Sequence, residues 1–181
     1  MKPIKIIVTG ASGRMGQTII KKVLSNKSLK LIGVTEGSKN KFLGSDISEL
    51  IKSKKTGKII TDKIEPLFAK ADAVIDFTIP IATLNHAKMA AKYKIVHVIG
   101  TTGFSRSDEK KIGLAAKKTT IIKSGNMSMG INILQQVINK TASLFNDTFN
   151  IEVLETHHKN KIDAPSGTAL MLGDSIANGR N

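Results

Sequence analysis

Two apolar rhythms alternate along the chain: short unbroken runs of branched residues, and longer stretches with apolar positions three and four apart. Residues 4–8 (Ile-Lys-Ile-Ile-Val) have the composition of a strand buried on both faces. Met15, Ile19, Ile20, Val23 and Leu24 then fall on one helical face, with Lys21 and Lys22 outside it. The alternation continues with strands at 29–35, 59–61, 73–78, 95–99 and 120–123, a helical turn at 64–70, and helices opened by Pro80 and running over about 107–118. Ile81, Leu84, Ala87 and Ala91 form the stripe of the Pro80 helix. Residues 37–58 are polar, show no clear period and read as a long surface loop. Strand and helix in strict alternation predict an α/β fold, a doubly wound parallel sheet. The character changes near Ser128, where a helix over 129–145 carrying Ile131, Leu134, Ile138 and Leu144 is followed by a strand at 151–154 and a helix opening at Ser166. The expected division is therefore a first domain, 1–128, and an incomplete α+β domain, 129–181.

The first strand runs directly into Thr-Gly10-Ala11-Ser12-Gly13-Arg14-Met15-Gly16 and the first helix. This is the context a dinucleotide-binding loop requires, although the spacing is Gly-x-x-Gly-x-x-Gly. Gly10 permits the tight turn, Gly13 lets the backbone approach a pyrophosphate, Gly16 lets the helix close on the strand, and the helix start faces the phosphates. Glu36 ends the second strand, twenty residues after Gly16. That is the place for an acid that accepts hydrogen bonds from the adenosine ribose and repels a 2′-phosphate, which favours NADH over NADPH, with Lys39 as the one nearby cation able to offset it. The strand at 95–99 ends in Gly100-Thr101-Thr102-Gly103, a second set of small residues at a carboxyl edge, where open sheets bind ligands. The competing reading of each loop is a tight structural turn, and that of Glu36 is a solvated loop acid.

Composition narrows the chemistry. Of 181 residues, 40% are hydrophobic, enough for a real core, and no run of eighteen apolar residues or signal-type segment occurs, so a cytoplasmic protein without a membrane partner is expected. Absence of cysteine removes thiol chemistry and disulfides, and four scattered histidines leave no metal site to be expected. The net charge of +14 admits nucleic acid as a partner, but the lysines are dispersed and only 4% of residues are aromatic, so no nucleic-acid partner is expected and small anionic ligands suit the field better. His86 and His97, on a helix and in a strand, read as packed or exposed structural residues and not as catalysts.

The other two histidines lie in residues 155–168, Glu-Thr-His157-His158-Lys-Asn-Lys161-Ile-Asp-Ala-Pro-Ser-Gly167-Thr168. Two imidazoles and two lysines precede a helix start, an arrangement suited to an anion. Read by itself, the stretch is equally a basic surface loop with a proline turn.

Taken together, the glycine loop, Asp76-Phe-Thr78, Gly100-Thr-Thr-Gly-Phe104, Asn126-Met-Ser-Met-Gly130-Ile-Asn132 and the 155–168 block resemble 4-hydroxy-tetrahydrodipicolinate reductase, formerly dihydrodipicolinate reductase, across essentially the whole chain. The resemblance implies NADH- or NADPH-dependent reduction of a cyclic dicarboxylate to tetrahydrodipicolinate on the diaminopimelate route to lysine. It implies that residues 10–15 contact the cofactor phosphates and Glu36 its ribose. It further implies that Gly100, Thr101, Thr102, Ser124, Gly125, Asn126 and Met127 line the nicotinamide side. By the same resemblance His157 is the proton donor or acceptor and Lys161 the proton-donating lysine, while His158, Gly167 and Thr168 contact substrate carboxylates. Gly37 stands where family members that use NADPH readily often carry arginine. The family continues well beyond Asn181, so strands of the substrate domain, the contacts of a homotetramer and a returning C-terminal helix are expected to be missing, with weak or no turnover as the consequence. Two alternatives remain: another nicotinamide dehydrogenase of the same architecture, which leaves the two-histidine block unexplained, and a dinucleotide-sensing or nucleic-acid-binding protein.

Overall fold

In the computed structural model, which describes residues 2–157, 159 and 164–180, the chain divides into two compact units, Met1–Lys123 and Ser124–Asn181. The first unit is a six-stranded sheet built from β1 (Ile4–Thr9), β2 (Leu29–Thr35), β3 (Ile60–Thr61), β4 (Ala73–Asp76), β5 (Val96–Ile99) and β6 (Ile121–Lys123). All neighbouring pairs are parallel, in the order β3-β2-β1-β4-β5-β6. The connections carry α1 (Arg14–Ser25), α2 (Ser48–Ile51), α3 (Glu65–Phe68), α4 (Pro80–Tyr93) and α5 (Arg106–Ala116). This is the doubly wound order, in which the chain reverses direction across the sheet between β1 and β4.

The two faces of the sheet follow from the period of a strand. Successive side chains point to opposite sides, so Ile6 and Val8 of β1 join Ile20, Val23, Leu31, Val34, Ile47 and Ile60 in one core cluster. Ile7 joins Phe68, Val74, Ala90 and Ile95 in the other. Each fully buried Val, Ile or Phe contributes about 1.5–3 kcal/mol relative to exposure. Such residues on both faces explain why the strands read as unbroken apolar runs.

Helix ends obey local chemistry. α4 begins with Pro80 in its first turn, where the missing N–H is harmless. Ser105 caps α5 in a reciprocal capping box with Asp108, whose carboxyl is held below its usual range chiefly by the Ser105 hydroxyl and backbone N–H. α1 differs: its N-cap is Gly13, no side chain caps it, and no acid lies in its first turn.

Two expectations need correction here. Residues 37–58 are not simply a surface loop, because Ile47, which precedes α2, and Ile51, at its end, are buried in the core. Asp46 secures the segment by accepting from Ser48 N (2.9 Å), Thr56 Oγ1 (2.8 Å) and Gly57 N (2.7 Å). An aspartate that bonds backbone two residues on makes a compact turn out of a polar sequence. The Ser48 N–H is the main cause holding the Asp46 carboxyl well below the carboxylate range.

The second correction concerns 151–154, which carries no strand. A strand exists only with a hydrogen-bonded neighbour, and among the described residues no partner pairs with this run; Leu154 is 92% exposed. The second unit instead packs two helices side by side, α6 (Met129–Ala142) and α7 (Gly167–Arg180). A Cβ on Gly179 would stand 2.3 Å from the Asn139 carbonyl oxygen, so only glycine permits this approach of the two helices. Asn139 Nδ2 donates to the Ser175 carbonyl (2.9 Å), and the Arg180 guanidinium donates to the carbonyls of Asn146 and Phe149.

Candidate functional site

A cleft of about 620 Å³ opens at the carboxyl ends of β1, β2 and β4, the point where the winding reverses. Gly10, Ser12 and Gly13 form one wall, Glu36, Gly37 and Ser38 a second, and Phe77, Thr78, Ile79 and His86 a third. Gly10 sits at φ 70°, and a Cβ there would also meet Thr78 Cγ2 at 3.0 Å. Gly16 packs α1 onto the loop so closely that a Cβ would lie 2.0 Å from the Gly10 carbonyl oxygen. The loop therefore needs glycine for two different reasons, left-handed backbone at Gly10 and contact distance at Gly16.

Glu36 reaches across to this loop. Its Oε1 accepts from Ser12 N (2.6 Å) and Ser12 Oγ (2.7 Å), and its Oε2 accepts from Gly37 N at 3.3 Å. Ala11 is fully buried beneath the loop, while Arg14 and Met15 are exposed on the first turn of α1 and do not line the cleft. Gly100, Thr101 and Thr102 follow β5 on the same edge of the sheet, outside the cleft wall. Thr101 is buried, and its hydroxyl accepts from Thr78 N (3.0 Å) and Thr83 Oγ1 (2.9 Å). That hydroxyl ties the loop after β4 and the first turn of α4 to the end of β5, with both its lone pairs taken.

Beneath the third wall lies a buried polar cluster. Asp76 Oδ2 bonds His86 Nδ1 (2.8 Å) and His97 Nε2 (3.1 Å), and Oδ1 accepts from Thr78 N (3.1 Å) and Thr78 Oγ1 (2.6 Å). Burial alone would raise the Asp76 carboxyl, but the hydrogen bonds from His86, His97 and Thr78 outweigh it and hold the group well below the usual carboxylate range. An ionised Asp76 accepts only, so both imidazoles donate to it. His86, read from sequence as a packed or exposed structural residue, is thus both buried and part of the cleft wall. The available signal was its position ten residues after a strand-end aspartate, on the helix that follows that strand.

In the second unit, Ser166 begins α7: its hydroxyl accepts from Ala169 N (3.0 Å) and its carbonyl from Leu170 N (3.0 Å). Ser166 also donates to Glu155 through its N–H (2.8 Å) and its hydroxyl, and His157 Nε2 meets Glu155 Oε2 at 2.8 Å. These bonds, the Ser166 hydroxyl first, then its N–H and His157, lower the Glu155 carboxyl to about 2. Glu155 is therefore an acceptor and His157 Nε2 the donor, which leaves Nδ1 of a neutral ring able to take a proton. Sequence reasoning passed over Glu155 as a partner. Residues two apart on an extended segment share a face, and that spacing was the signal. Asn126 Nδ2 donates to Thr168 Oγ1 (2.9 Å), and a Cβ on Gly125 would stand 3.1 Å from the Gly167 carbonyl oxygen, so residues 124–127 and the start of α7 are packed together. Ser124 Oγ closes that turn on the Asn126 carbonyl (2.6 Å). His158 and Lys161 lie outside the described residues.

Comparison with known proteins decides among the alternatives. The sequence profile described as dihydrodipicolinate reductase, N-terminus, matches residues 4–127, and that described as its C-terminus matches residues 130–181. The chain belongs to the dihydrodipicolinate reductase family. It is 50% identical over 177 residues to the 4-hydroxy-tetrahydrodipicolinate reductase of Brucella abortus (strain 2308), covering 97% of this chain and 66% of that protein. The corresponding protein of Parvibaculum lavamentivorans is 48% identical over 178 residues, covering 98% of this chain and 66% of that protein. The chain thus spans about two thirds of the length of these curated relatives. Among solved structures, a dipicolinate-bound dihydrodipicolinate reductase from Paenisporosarcina sp. TG-14 matches with a TM-score of 0.75 and 28% identity, covering 98% of this chain and 67% of that one. An amine dehydrogenase from Mycobacterium smegmatis matches with a TM-score of 0.56 and 16% identity over 78% of this chain and 43% of its own, a likeness of fold alone. The two family profiles take in the sheet of the first unit and the second segment alike.

A nicotinamide dinucleotide fits the residues of the cleft. The backbone at Gly10 and Gly13 leaves no side chain in the way, and the start of α1 offers N–H groups that no side chain caps. No helix among the described residues is long and apolar enough to cross a membrane, and no described group of histidines and acids could hold a metal.

Proposed function

We propose that the chain carries the cofactor half and part of the substrate half of a reductase that converts 4-hydroxy-tetrahydrodipicolinate to tetrahydrodipicolinate with NADH or NADPH, on the diaminopimelate route to lysine. The observation that carries the reading is the cleft at the reversal of the sheet, with the glycine loop on one side and a ribose-height carboxylate on the other. Gly10, Ala11, Ser12, Gly13, Arg14 and Met15 surround the phosphates; the N–H groups of the first four are engaged by Thr35, Glu36 and Gly10, so the uncapped N–H groups at the start of α1 meet the phosphates, and Glu36 takes the adenosine ribose. Gly100, Thr101, Thr102 and residues 124–127 serve the nicotinamide side, with the lone pairs of the Thr101 hydroxyl already taken within the chain.

When bound, the dinucleotide supplies a hydride to an unsaturated ring carbon of the substrate. Everything else falls to the chain. The 4-hydroxyl of the substrate leaves as water to give the conjugated imine; hydride addition to that imine leaves an electron-rich centre that must be protonated, and Lys161 or His157 supplies that proton. Glu155 fixes the His157 ring by accepting from Nε2, so proton traffic at His157 runs through Nδ1. His158, Lys161 and the N–H groups of Gly167 and Thr168 pair with the two substrate carboxylates, the last two from the start of α7. The full-length homotetramer and a cytoplasmic location belong to this same reading.

The test is turnover and substrate affinity of His157→Gln and Lys161→Ala in a chain completed to the length of its relatives, using synthase-generated substrate with NADH and NADPH. A loss of about 100-fold or more in turnover is expected for at least one variant. Unchanged turnover in both overturns the assignment. The 181-residue chain itself is expected to turn over weakly or not at all, because exposed side chains on α6 and residues 151–154 lack cover.

A further inference from the structure

On the dinucleotide reading above, the Glu36 carboxylate marks the ribose end of the cleft. Three polar side chains form a directed chain of hydrogen bonds there. Asn40 Nδ2 donates to Ser12 Oγ (3.0 Å), and Ser12 Oγ donates to Glu36 Oε1 (2.7 Å). The direction is forced at each link. Asn40 Oδ1 already accepts from Phe42 N (2.9 Å), which leaves the amide nitrogen facing Ser12. That nitrogen can only donate, so the single hydroxyl hydrogen of Ser12 must go to Glu36. Asn40 is itself fixed, its N–H donating to the Gly37 carbonyl (2.9 Å).

The consequence falls on Glu36. Its Oε1 takes both the hydroxyl and the backbone N–H of Ser12 and has no lone pair to spare, while Oε2, with one long contact from Gly37 N at 3.3 Å, is the oxygen open to a ligand. A carboxylate that hangs free can swing aside when a 2′-phosphate arrives. This one must break two short hydrogen bonds to do so. The residues beside it, Gly37 and Ser38, are small and uncharged, and Lys39 is exposed. The negative charge therefore stays where a 2′-phosphate would have to sit.

We propose that Ser12 and Asn40 are specificity-determining residues: through Glu36 they lock the ribose end of the cleft against a 2′-phosphate and make the chain selective for NADH over NADPH. Ser12 thus does more than border the pyrophosphate, and Asn40 acts as a positioning residue without touching the cofactor.

The test measures dissociation constants of NADH and NADPH for the 181-residue chain and its Ser12→Ala and Asn40→Ala variants, by nicotinamide fluorescence or calorimetry, with no substrate and no turnover. The parent chain is expected to bind NADH more tightly. Ser12→Ala, which keeps the backbone N–H and loses the hydroxyl, is expected to narrow the NADPH-to-NADH ratio by about tenfold, the size of one charge-assisted hydrogen bond. Asn40→Ala is expected to narrow it by about threefold, as it removes only the support of that bond. General damage to the loop weakens both cofactors together and leaves the ratio unmoved. An unchanged ratio in both variants, or a parent chain that prefers NADPH, overturns the lock while leaving dinucleotide binding intact. Failure of the parent chain to bind either cofactor overturns the dinucleotide reading itself.

Discussion

Replacing Asp76 by asparagine removes one charge and changes almost nothing in shape, so it isolates what the buried carboxylate does. Asp76 satisfies four donors: His86 Nδ1 and His97 Nε2 on one oxygen, Thr78 N and Thr78 Oγ1 on the other. Asparagine offers one acceptor oxygen and an NH2 group. If the oxygen stays with Thr78, the NH2 faces two imidazoles, which must both change tautomer to accept from it. For His97 that places a hydrogen on Nδ1, a buried atom with no hydrogen-bond partner. If instead the oxygen turns to the imidazoles, the NH2 group is set against the Thr78 N–H, donor against donor, and Thr78 N keeps only its bond to Thr101 Oγ1. Either way a buried hydrogen-bonding position is mispaired, at about 1–3 kcal/mol, and a charge-assisted contact is lost as well.

The expected total is about 2–4 kcal/mol, within the range for breaking one side of a buried charged cluster. For a unit of this size each kcal/mol lowers Tm by about 3–5 °C, so Asp76→Asn should melt roughly 10 °C below the parent chain at pH 7. The pH dependence supplies a second check. The folded carboxyl lies below its unfolded value of about 3.9, so its contribution is complete above that value and is lost as pH falls through the folded one. The gap between parent and variant should stay constant from about pH 8 to 5 and narrow below about 4. Thermal and urea unfolding across that range decide it. A melting difference under about 3 °C at pH 7, or a gap that widens in acid, refutes the reasoning.

Other perturbations read other parts of the chain. Gly16→Ala places a methyl group 2.0 Å from the Gly10 carbonyl oxygen, where backbone must move to admit it; about 2 kcal/mol or more of stability and most NADH affinity should go together, as seen by urea unfolding and fluorescence titration. Glu155, lowered to about 2 in the folded chain, should show a carboxyl carbon NMR midpoint near that value; its stabilising contacts are present above its unfolded value and are lost only as pH falls toward the folded one, so a midpoint at 4 or above is incompatible with the Ser166 clamp. In a chain of full length, Glu155→Gln should lower turnover by about tenfold with little change in KM, since it loosens the His157 ring and leaves the carboxylate-binding N–H groups in place.

What could be read from the sequence and what could not divide along a physical line. The strands, the helices and the glycine loop are encoded by neighbours in the chain: Gly10 and Gly16 sit at fixed offsets from a strand end and a helix start, and the apolar period identifies each element. Side-chain partnerships depend on which strand lies beside which. Glu36 meets Ser12 because β2 pairs with β1, and His97 meets Asp76 because β5 pairs with β4. Until the strand order is known, Glu36 is an acid at a plausible distance and His97 is an apolar-strand histidine. The same argument explains the miss at 151–154. Its alternation is that of a strand, but a strand is a relation between two segments, and a sequence pattern states only one side of it. The partner determines whether Leu154 is a core residue or the exposed side chain seen here, just as Ser12 determines whether Glu36 can yield to a phosphate. Periodicity can therefore nominate a residue for a site, whereas the residue across the sheet decides what it does there.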